Sequence, residues 1–297
     1  MASDLRSNWF EAREKTSKKQ KGVREMKYID DLKNKSFRCQ FVRLACAVLV
    51  FATFFSVAAI ERIEAQGSVP QKTVVLVHGA FADSTSWEKV TPLLQAKGLN
   101  VVAVQSPLTS LANDVDAVKK AIDAAPGQVI LVGHSWGGTV ITQAGNNEKV
   151  TALVYVAAFA PSKDQSVNDM LKDFPKPEWF GSVKVDSRGF LTLSPEAVGT
   201  FFAQDLPAAK IKAIAVTQGP ISAKAFDDKV TEAAWSNKPS FYIVAAHDRI
   251  INAEFEKLMA KNIGATTTVL QSSHVPMLSK PKEVADVILA ASGISKK

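Results

Sequence analysis

Cysteine is nearly absent from this sequence. The 297 residues include two cysteines, Cys39 and Cys46, and both lie in or beside an apolar run near the N-terminus. The rest of the chain therefore can form no disulfide and has no thiolate to serve as a nucleophile or a metal ligand. It is compatible with an oxidising or a reducing compartment.

A basic surface of the kind that binds nucleic acid is also missing. The formal net charge is +7, but residues 1–66 alone hold 13 Lys and Arg against 8 Asp and Glu, so most of the excess positive charge lies in this leader. The remainder has no basic stripe with interleaved aromatic residues and no nucleic-acid motif. The sequence therefore predicts no nucleic-acid partner.

The leader, residues 1–66, contains an uncharged apolar run at residues 44–60 with basic residues just before it. Positive charge ahead of such a run keeps the N-terminus in the cytoplasm and sends the following chain across the membrane. The run is intermediate in length between a signal-peptide core and a spanning helix, so a cleaved signal and a membrane anchor both stay open. We expect residues 67–297 to be exported, periplasmic or secreted, with membrane contact only through the leader. Met26 is an alternative start to Met1, because the leader is long for a signal peptide.

Beyond the leader, short apolar runs alternate with helical patterns. Six runs predict strands, at residues 73–77, 100–104, 128–132, 152–158, 240–246 and 266–271. Between them, segments such as WEKVTPLLQAKG repeat apolar residues at helical spacing and end in glycine, as amphipathic helices do. This alternation predicts an α/β fold with an open, mostly parallel sheet and helices on both faces.

One interval, about residues 161–238, is too long for a usual crossover between neighbouring strands. It is rich in proline and large apolar side chains, including Phe174, Trp179 and Phe202. We interpret it as a small cap inserted into the domain of residues 67–297, with a hairpin at residues 183–194 and a helix at residues 195–206. Such a cap would shape an apolar pocket above the sheet.

The strand at residues 128–132 runs into the pentapeptide Gly133-His134-Ser135-Trp136-Gly137, and a helical pattern follows at once. Only a very tight turn fits between these elements, and glycine at its two ends removes the Cβ atoms that would collide with the neighbouring strand and helix. Ser135 at the apex would then be held in a strained conformation above the sheet, as in the Gly-x-Ser-x-Gly nucleophile elbow. The alternative is a glycine-rich turn with an ordinary surface serine.

A serine nucleophile needs an imidazole to take its proton and a carboxylate to orient that imidazole. The chain order Ser, Asp, His of such sheets selects Ser135, Asp248 and His274 as the catalytic residues. Asp248 directly follows the strand at residues 240–246, and His274 follows the last strand. Asp164 is a competing acid, but it already lies within the insert.

All four histidines fall beside predicted strand ends: His78, His134, His247 and His274. A metal site is not predicted, because the chain has no H-E-x-x-H motif and no carboxylate at ligand spacing. No cofactor is implied either. His134 and His247 are interpreted as structural, and His78 as shaping the loop after the first strand.

Acyl transfer also needs backbone donors for a developing oxyanion. The N–H groups of Trp136, after the nucleophile, and of Ala80, in the loop HGAF, are the candidates. Four side chains are predicted to line the substrate pocket: Phe81, Phe159, Trp179 and Met277.

Three segments carry a family resemblance: VVLVHGAFADSTSWEKVTPLLQAKGLNVVAV, VILVGHSWGG and AHDRIINAEFEKLMAKNIGATTTVLQSSHVPML. From about residue 72 to 294 the chain resembles the α/β-hydrolase superfamily, and most of all its small-cap carboxylesterases related to plant methylesterases and hydroxynitrile lyases. The resemblance implies Ser135 as nucleophile, Asp248 as acid, His274 as base, and the Ala80 and Trp136 N–H groups as oxyanion donors. It implies no cofactor.

Departures from the pattern separate the branches of that superfamily. The lyases carry threonine and lysine where this chain has Gly79 and Val275, and the dehalogenases and epoxide hydrolases carry aspartate where it has Ser135. We therefore expect a serine carboxylesterase that acts on a small or aryl ester as its small-molecule partner. Perhydrolase, cofactor-free haloperoxidase and carbon–carbon hydrolase chemistry on the same triad stay open, as do a non-catalytic ligand-binding role and the oligomeric state.

Overall fold

The computed structural model of this protein describes residues 72–294. The predicted leader, its apolar run at residues 44–60 and the choice between Met1 and Met26 lie outside these residues. Within the described range, none of the helices is long and apolar enough to span a membrane.

The strands form two sheets. Their bounds are β1 (Lys72–Val77), β2 (Asn100–Val104), β3 (Gln128–His134), β4 (Val150–Val156), β5 (Val183–Val185), β6 (Phe190–Leu193), β7 (Ile221–Ser222), β8 (Ser240–Ala245) and β9 (Thr266–Leu270). Six of them make one sheet in the order β2-β1-β3-β4-β8-β9, with every pair parallel. The six strands predicted from the apolar runs are confirmed.

The helices cover this sheet on both faces. Their bounds are α1 (Thr91–Gln95), α2 (Leu111–Ala124), α3 (Trp136–Ala144), α4 (Val167–Leu171), α5 (Pro195–Ala197), α6 (Ala208–Thr217), α7 (Ala253–Asn262), α8 (Pro276–Ser279) and α9 (Pro281–Ala291). Helices α2 and α3 pack against each other, while α9 packs against α1 and the central strands. The predicted open, mostly parallel α/β sheet is therefore confirmed.

The central strands are hydrophobic throughout because both faces are covered. The side chains of β1 from Val74 to Val77 and of β3 from Val129 to Val132 have no solvent exposure, and β4 and β8 continue the same core. Parallel strands place their carboxyl ends along one edge, so the loops after β1, β3, β8 and β9 meet there.

The cap, residues 161–238, lies between β4 and β8 in the chain. It contains α4 to α6 and a three-stranded antiparallel sheet in the order β5-β6-β7. The predicted hairpin is present, with Gly189 at φ +82° in its turn. The predicted helix at residues 195–206 is instead the short α5 followed by a π-helical turn, Val198–Phe202, in which the Ala203 N–H donates to the Val198 carbonyl at 2.8 Å.

Candidate active site

Ser135 occupies the tight turn between β3 and α3. Its backbone angles are φ 52° and ψ −119°, a region that non-glycine residues rarely adopt. Such strain persists only where the surrounding structure enforces it, and here the Ser135 N–H donates to the Val156 carbonyl at 3.2 Å while the Phe159 N–H donates to the Ser135 carbonyl, also at 3.2 Å. The serine is therefore held at the carboxyl edge of the sheet, as the elbow motif predicts.

The two glycines of the motif allow this turn because the chain comes too close for side chains. A Cβ atom on Gly137 would lie 2.6 Å from the Val77 carbonyl oxygen and 2.8 Å from that of His78. A Cβ atom on Gly133 would lie 2.4 Å from the Gly137 carbonyl oxygen. These neighbours are backbone atoms of the sheet and of α3, so they have little freedom to move away.

Asp248 and His274 form a buried pair across the loops that follow β8 and β9. His274 Nδ1 and Asp248 Oδ2 are 2.5 Å apart, and both side chains are fully buried. The other carboxylate oxygen, Oδ1, accepts the backbone N–H groups of Ile250 at 2.7 Å and Ile251 at 2.9 Å. These two donors orient the carboxylate, so that Oδ2 receives the Nδ1–H of His274 and Nε2 is left as the acceptor nitrogen of the ring.

His134, the residue before Ser135, contacts His274 directly. His134 Nε2 lies 2.8 Å from the His274 carbonyl oxygen, and the two imidazole rings are 4.7 Å apart at their centres. Burial, and then the neighbouring His274, hold the pKa of His134 well below its usual range, so the ring is neutral and Nε2–H is the donor. His274 Nε2 is buried and has no hydrogen-bond partner among residues 72–294, Ser135 Oγ included. Catalytic hydrogen bonds of this kind often tighten only when substrate binds.

The two predicted oxyanion donors both border one cavity beside Ser135. Trp136 is the first residue of α3, where no carbonyl of the helix can accept its N–H. Ala80 lies in the loop after β1, next to Phe81, whose φ of 58° marks a second strained position. Ala80 and Trp136 therefore line the same cavity as Ser135, and their role as oxyanion donors stays a prediction.

Asp114 of α2 fixes the side chain of Trp136, a contact that the sequence does not predict. Its carboxylate accepts the indole Nε1–H of Trp136 at 2.8 Å and the Leu108 N–H at 2.7 Å. Burial raises the pKa of Asp114, and these two hydrogen bonds oppose that shift. An acidic residue in the first turn of a helix usually interacts with the helix dipole, and nothing in the local sequence indicates a buried partner.

A second buried carboxyl, Glu256 of α7, lies behind the acid loop. One of its oxygens, Oε2, accepts the Ala245 N–H at 3.0 Å, at the end of β8, and its side chain is fully shielded from solvent. Burial, and then the charge of Asp248, raise the pKa of Glu256 well above its usual range. Both causes favour the neutral form of the Glu256 carboxyl.

The cavity has a volume of about 340 Å³ and a predominantly apolar lining. The predicted pocket residues Phe81, Phe159 and Trp179 line it, and the rings of Phe81 and Trp179 meet edge to face at 6.0 Å. Met277 does not line it. Pro276 begins α8 directly after the His274 loop, and this helix buries Met277 completely in the core.

The side chains of the remaining histidines and of the competing acid form no hydrogen bond to Asp248 or His274 within residues 72–294. His78 is buried, where it accepts the Ser106 N–H on Nε2 at 3.0 Å and contacts the Gly79 carbonyl through Nδ1 at 2.9 Å, so it fixes the loop after β1. His247 is exposed, and its contacts are made by its backbone. Asp164 is also exposed, and its N–H donates to the Val230 carbonyl at 2.7 Å within the cap.

Comparison with known proteins finds relatives that match about three quarters of this chain. Methylesterase 1 of Arabidopsis thaliana is 26% identical over 246 residues, which are 72% of this chain and 94% of that protein. Norfluorocurarine synthase 2 of a Strychnos species is 26% identical over 260 residues, 76% of this chain and 97% of that protein. Among solved structures, polyneuridine aldehyde esterase superposes with a TM-score of 0.67 at 22% identity, over 75% of this chain and 99% of that one.

The family model described as the alpha/beta hydrolase family matches residues 74–287, which include the elbow serine, the cap and the Asp248–His274 pair. The match extends over most of the chain, and the parallel sheet has the corresponding fold. The protein therefore belongs to the alpha/beta hydrolase family.

Proposed function

We propose that this protein is a serine carboxylesterase that cleaves an uncharged, apolar or aryl ester through an acyl-enzyme on Ser135. The observation that carries the proposal is the strained Ser135 at the wall of an apolar cavity, with a buried Asp248–His274 pair at the same edge of the sheet. The methylesterase name of a relative that aligns over 94% of its length supports ester cleavage.

The proposed reaction uses each group in turn. His274 Nε2 takes the proton of Ser135 Oγ as Oγ bonds to the ester carbonyl carbon, and Asp248 stabilises the imidazolium that forms. The carbonyl oxygen becomes an oxyanion beside the Ala80 and Trp136 N–H groups. Collapse of this intermediate breaks the ester C–O bond, and the alcohol leaves with the proton from His274. Water, deprotonated by His274, then attacks the acyl group and releases the acid and the free serine.

The chemistry of the cavity supports an uncharged substrate. Among residues 72–294, the lining contains no charged side chain, and apart from the Ser135 hydroxyl its polar side chains are Asn168 and the indoles of two tryptophans. Both indole N–H groups are already occupied, that of Trp136 by Asp114 at 2.8 Å and that of Trp179 by the Ile250 carbonyl at 3.0 Å. A charged acyl or alcohol group would lose its hydration without gaining a partner, which is strongly unfavourable.

The test is turnover of p-nitrophenyl acetate, butyrate, octanoate and hemisuccinate by the full-length protein in mild detergent, beside its Ser135→Ala variant. We expect the neutral esters to be cleaved, the hemisuccinate to be a poor substrate, and the variant to lose activity to the level of the buffer. Equal slow rates from both proteins would remove the acyl-enzyme proposal and favour a binding role. Preference for the hemisuccinate would contradict the substrate class.

We also propose that the leader exports residues 67–297, and that membrane contact occurs only through residues 44–60. The support is the charge asymmetry around that apolar run. Fractionation of expressing cells, with N-terminal sequencing of the exported protein, tests this. A new N-terminus after the run would identify a cleaved signal, an intact leader in the membrane fraction would identify an anchor, and a soluble cytoplasmic protein with its leader intact would refute export.

A further inference from the structure

A short stretch of the cap, residues 200–205, passes beside both loops that carry the acid and the base of the proposed triad. We call it the clamp segment. It begins within the π-helical turn Val198–Phe202, and short π-helical segments occur frequently at functional sites. Its hydrogen bonds to these loops are made with the immediate chain neighbours of Asp248 and His274.

On the acid side, the clamp segment holds the residues that precede and follow Asp248. Gln204 Nε2 donates to the His247 carbonyl at 2.7 Å. Arg249 Nη1 donates to the Thr200 carbonyl at 3.1 Å, and its guanidinium lies 4.7 Å from the centre of the Phe201 ring. Because Asp248 is oriented by N–H groups of its own loop, a shift of this loop would move the carboxylate away from His274.

On the base side, the clamp segment holds the residue before His274. Asp205 accepts the Ser273 backbone N–H on Oδ2 at 2.8 Å and the Ser273 hydroxyl on Oδ1 at 2.5 Å. Ser273 is fully buried, so both of its donors would lose a charge-assisted partner if the carboxylate were removed. The ring of Phe202 packs edge-on against the imidazole of His274, with 5.1 Å between centres.

Other contacts between the cap and the rest of the domain provide a comparison. Lys210 Nζ of α6 forms an ion pair with Glu88 Oε1 at 2.6 Å. Neither residue belongs to the loops that carry Asp248 and His274. This pair attaches the cap without touching the neighbours of Asp248 or His274. A purely structural role for Asp205 would therefore resemble that of Lys210.

We infer that the clamp segment is a positioning element for the proposed catalytic pair, and that Asp205 and Gln204 are positioning residues that align His274 and Asp248 from the cap. The expected effect on reaction rate rests on the proposed function. The cap thereby does more than enclose the substrate, because the alignment of acid and base depends on how its residues 200–205 are seated.

The experiment compares full-length Asp205→Ala, Asp205→Asn and Gln204→Ala with Lys210→Ala as the matched control. For Asp205→Ala we expect kcat on p-nitrophenyl butyrate to fall by about 10- to 100-fold, in the range known for small misplacements of reacting groups, with KM changed by less than about twofold. The acidic limb of the kcat/KM profile should move to lower pH, since a poorly aligned carboxylate stabilises the imidazolium less. Asp205→Asn should recover much of the rate, because the amide oxygen still accepts the Ser273 N–H. Lys210→Ala should match the wild type in all three quantities.

A second readout does not depend on ester turnover. The proton between His274 Nδ1 and Asp248 Oδ2 should give a low-field proton NMR signal, assigned by its loss in Asp248→Asn. We expect it to shift or broaden in Asp205→Ala and Gln204→Ala and to be unchanged in Lys210→Ala. Wild-type protein that cleaves no ester would defeat the proposed function, while this signal would still decide the inference. Signals and rates equal to those of Lys210→Ala in both variants would overturn it. Should Asp205→Ala fail to fold, Gln204→Ala alone decides.

Discussion

Replacing Asp248 by asparagine should abolish catalysis while leaving the fold intact. The N–H groups of Ile250 and Ile251, at 2.7 and 2.9 Å from Oδ1, require an acceptor at that position, so the amide oxygen of the asparagine will take it. The amide NH₂ must then face His274 at the place where Oδ2 now lies 2.5 Å from Nδ1.

An NH₂ group in that position forces the wrong tautomer on His274. Nδ1 must become the acceptor, so the proton moves to Nε2, which can no longer take the proton of Ser135. The same substitution in a well-studied Ser-His-Asp catalytic triad lowers kcat by about 10⁴-fold, which corresponds to about 5.4 kcal/mol of transition-state stabilisation. We expect a loss of this size in kcat on p-nitrophenyl butyrate, with a melting temperature close to that of the wild type.

Asp164→Asn is the matched control, because Asp164 is the other acid that the sequence offers and it lies exposed in the cap. It should retain the wild-type kcat. The reasoning would be refuted if Asp248→Asn kept more than about a tenth of the activity, or if the loss appeared in Asp164→Asn instead.

Three further predictions concern stability and the pocket. Gly137→Ala should lower the free energy of unfolding, measured in urea, by more than about 3 kcal/mol, because the new Cβ would lie 2.6 Å from a backbone carbonyl oxygen. The control is Gly181→Ala, whose Cβ would have no atom within 4 Å, and its stability should stay within about 1 kcal/mol of the wild type. Equal losses of stability in the two variants would refute the steric argument. Burial raises the pKa of Glu256 in the folded protein, so the native state keeps a proton that the unfolded chain releases above about pH 4.3. The wild-type protein therefore loses stability as the pH rises from about 4.3 toward the pKa of the folded state. Glu256→Gln should therefore gain stability relative to the wild type by up to about 1.4 kcal/mol per pH unit in that window, and a difference independent of pH would show that Glu256 is ionised in the fold. Leu191 lines the cavity, so Leu191→Ala should enlarge it and raise kcat/KM for the octanoate ester relative to the acetate ester. An unchanged ratio would mean that the acyl chain does not reach Leu191.

The strands and the elbow could be predicted because their causes are local. A strand covered on both faces must be apolar along its whole length, so a run such as residues 129–132 can be predicted as a strand without knowing which strands pair with it. The turn at Ser135 likewise needs glycine at two set positions, and the sequence shows both. Chain order then led to Asp248 and His274, which the structure places 2.5 Å apart.

The supporting groups could not be predicted because their causes are distant in sequence. Asp114 and Glu256 occupy helices, where an acidic side chain ordinarily faces solvent, and only the folded chain brings the Trp136 indole and the β8 end to them. Asp205 meets Ser273 across 68 positions of sequence. Met277 was wrongly predicted to line the pocket because it is close to His274 in sequence. Closeness in sequence does not determine whether a side chain faces the cavity or the core.

The most direct measurement is covalent labelling of the full-length protein with a fluorophosphonate, followed by mass spectrometry of its peptides. Only a serine activated by a neighbouring imidazole reacts quickly with this reagent. We predict one label per chain, on the peptide that contains Ser135, and no label on Ser135→Ala or after prior incubation with a slowly deacylating ester. An unlabelled wild-type protein, or equal labelling of the alanine variant, would contradict the assignment of Ser135 as the nucleophile.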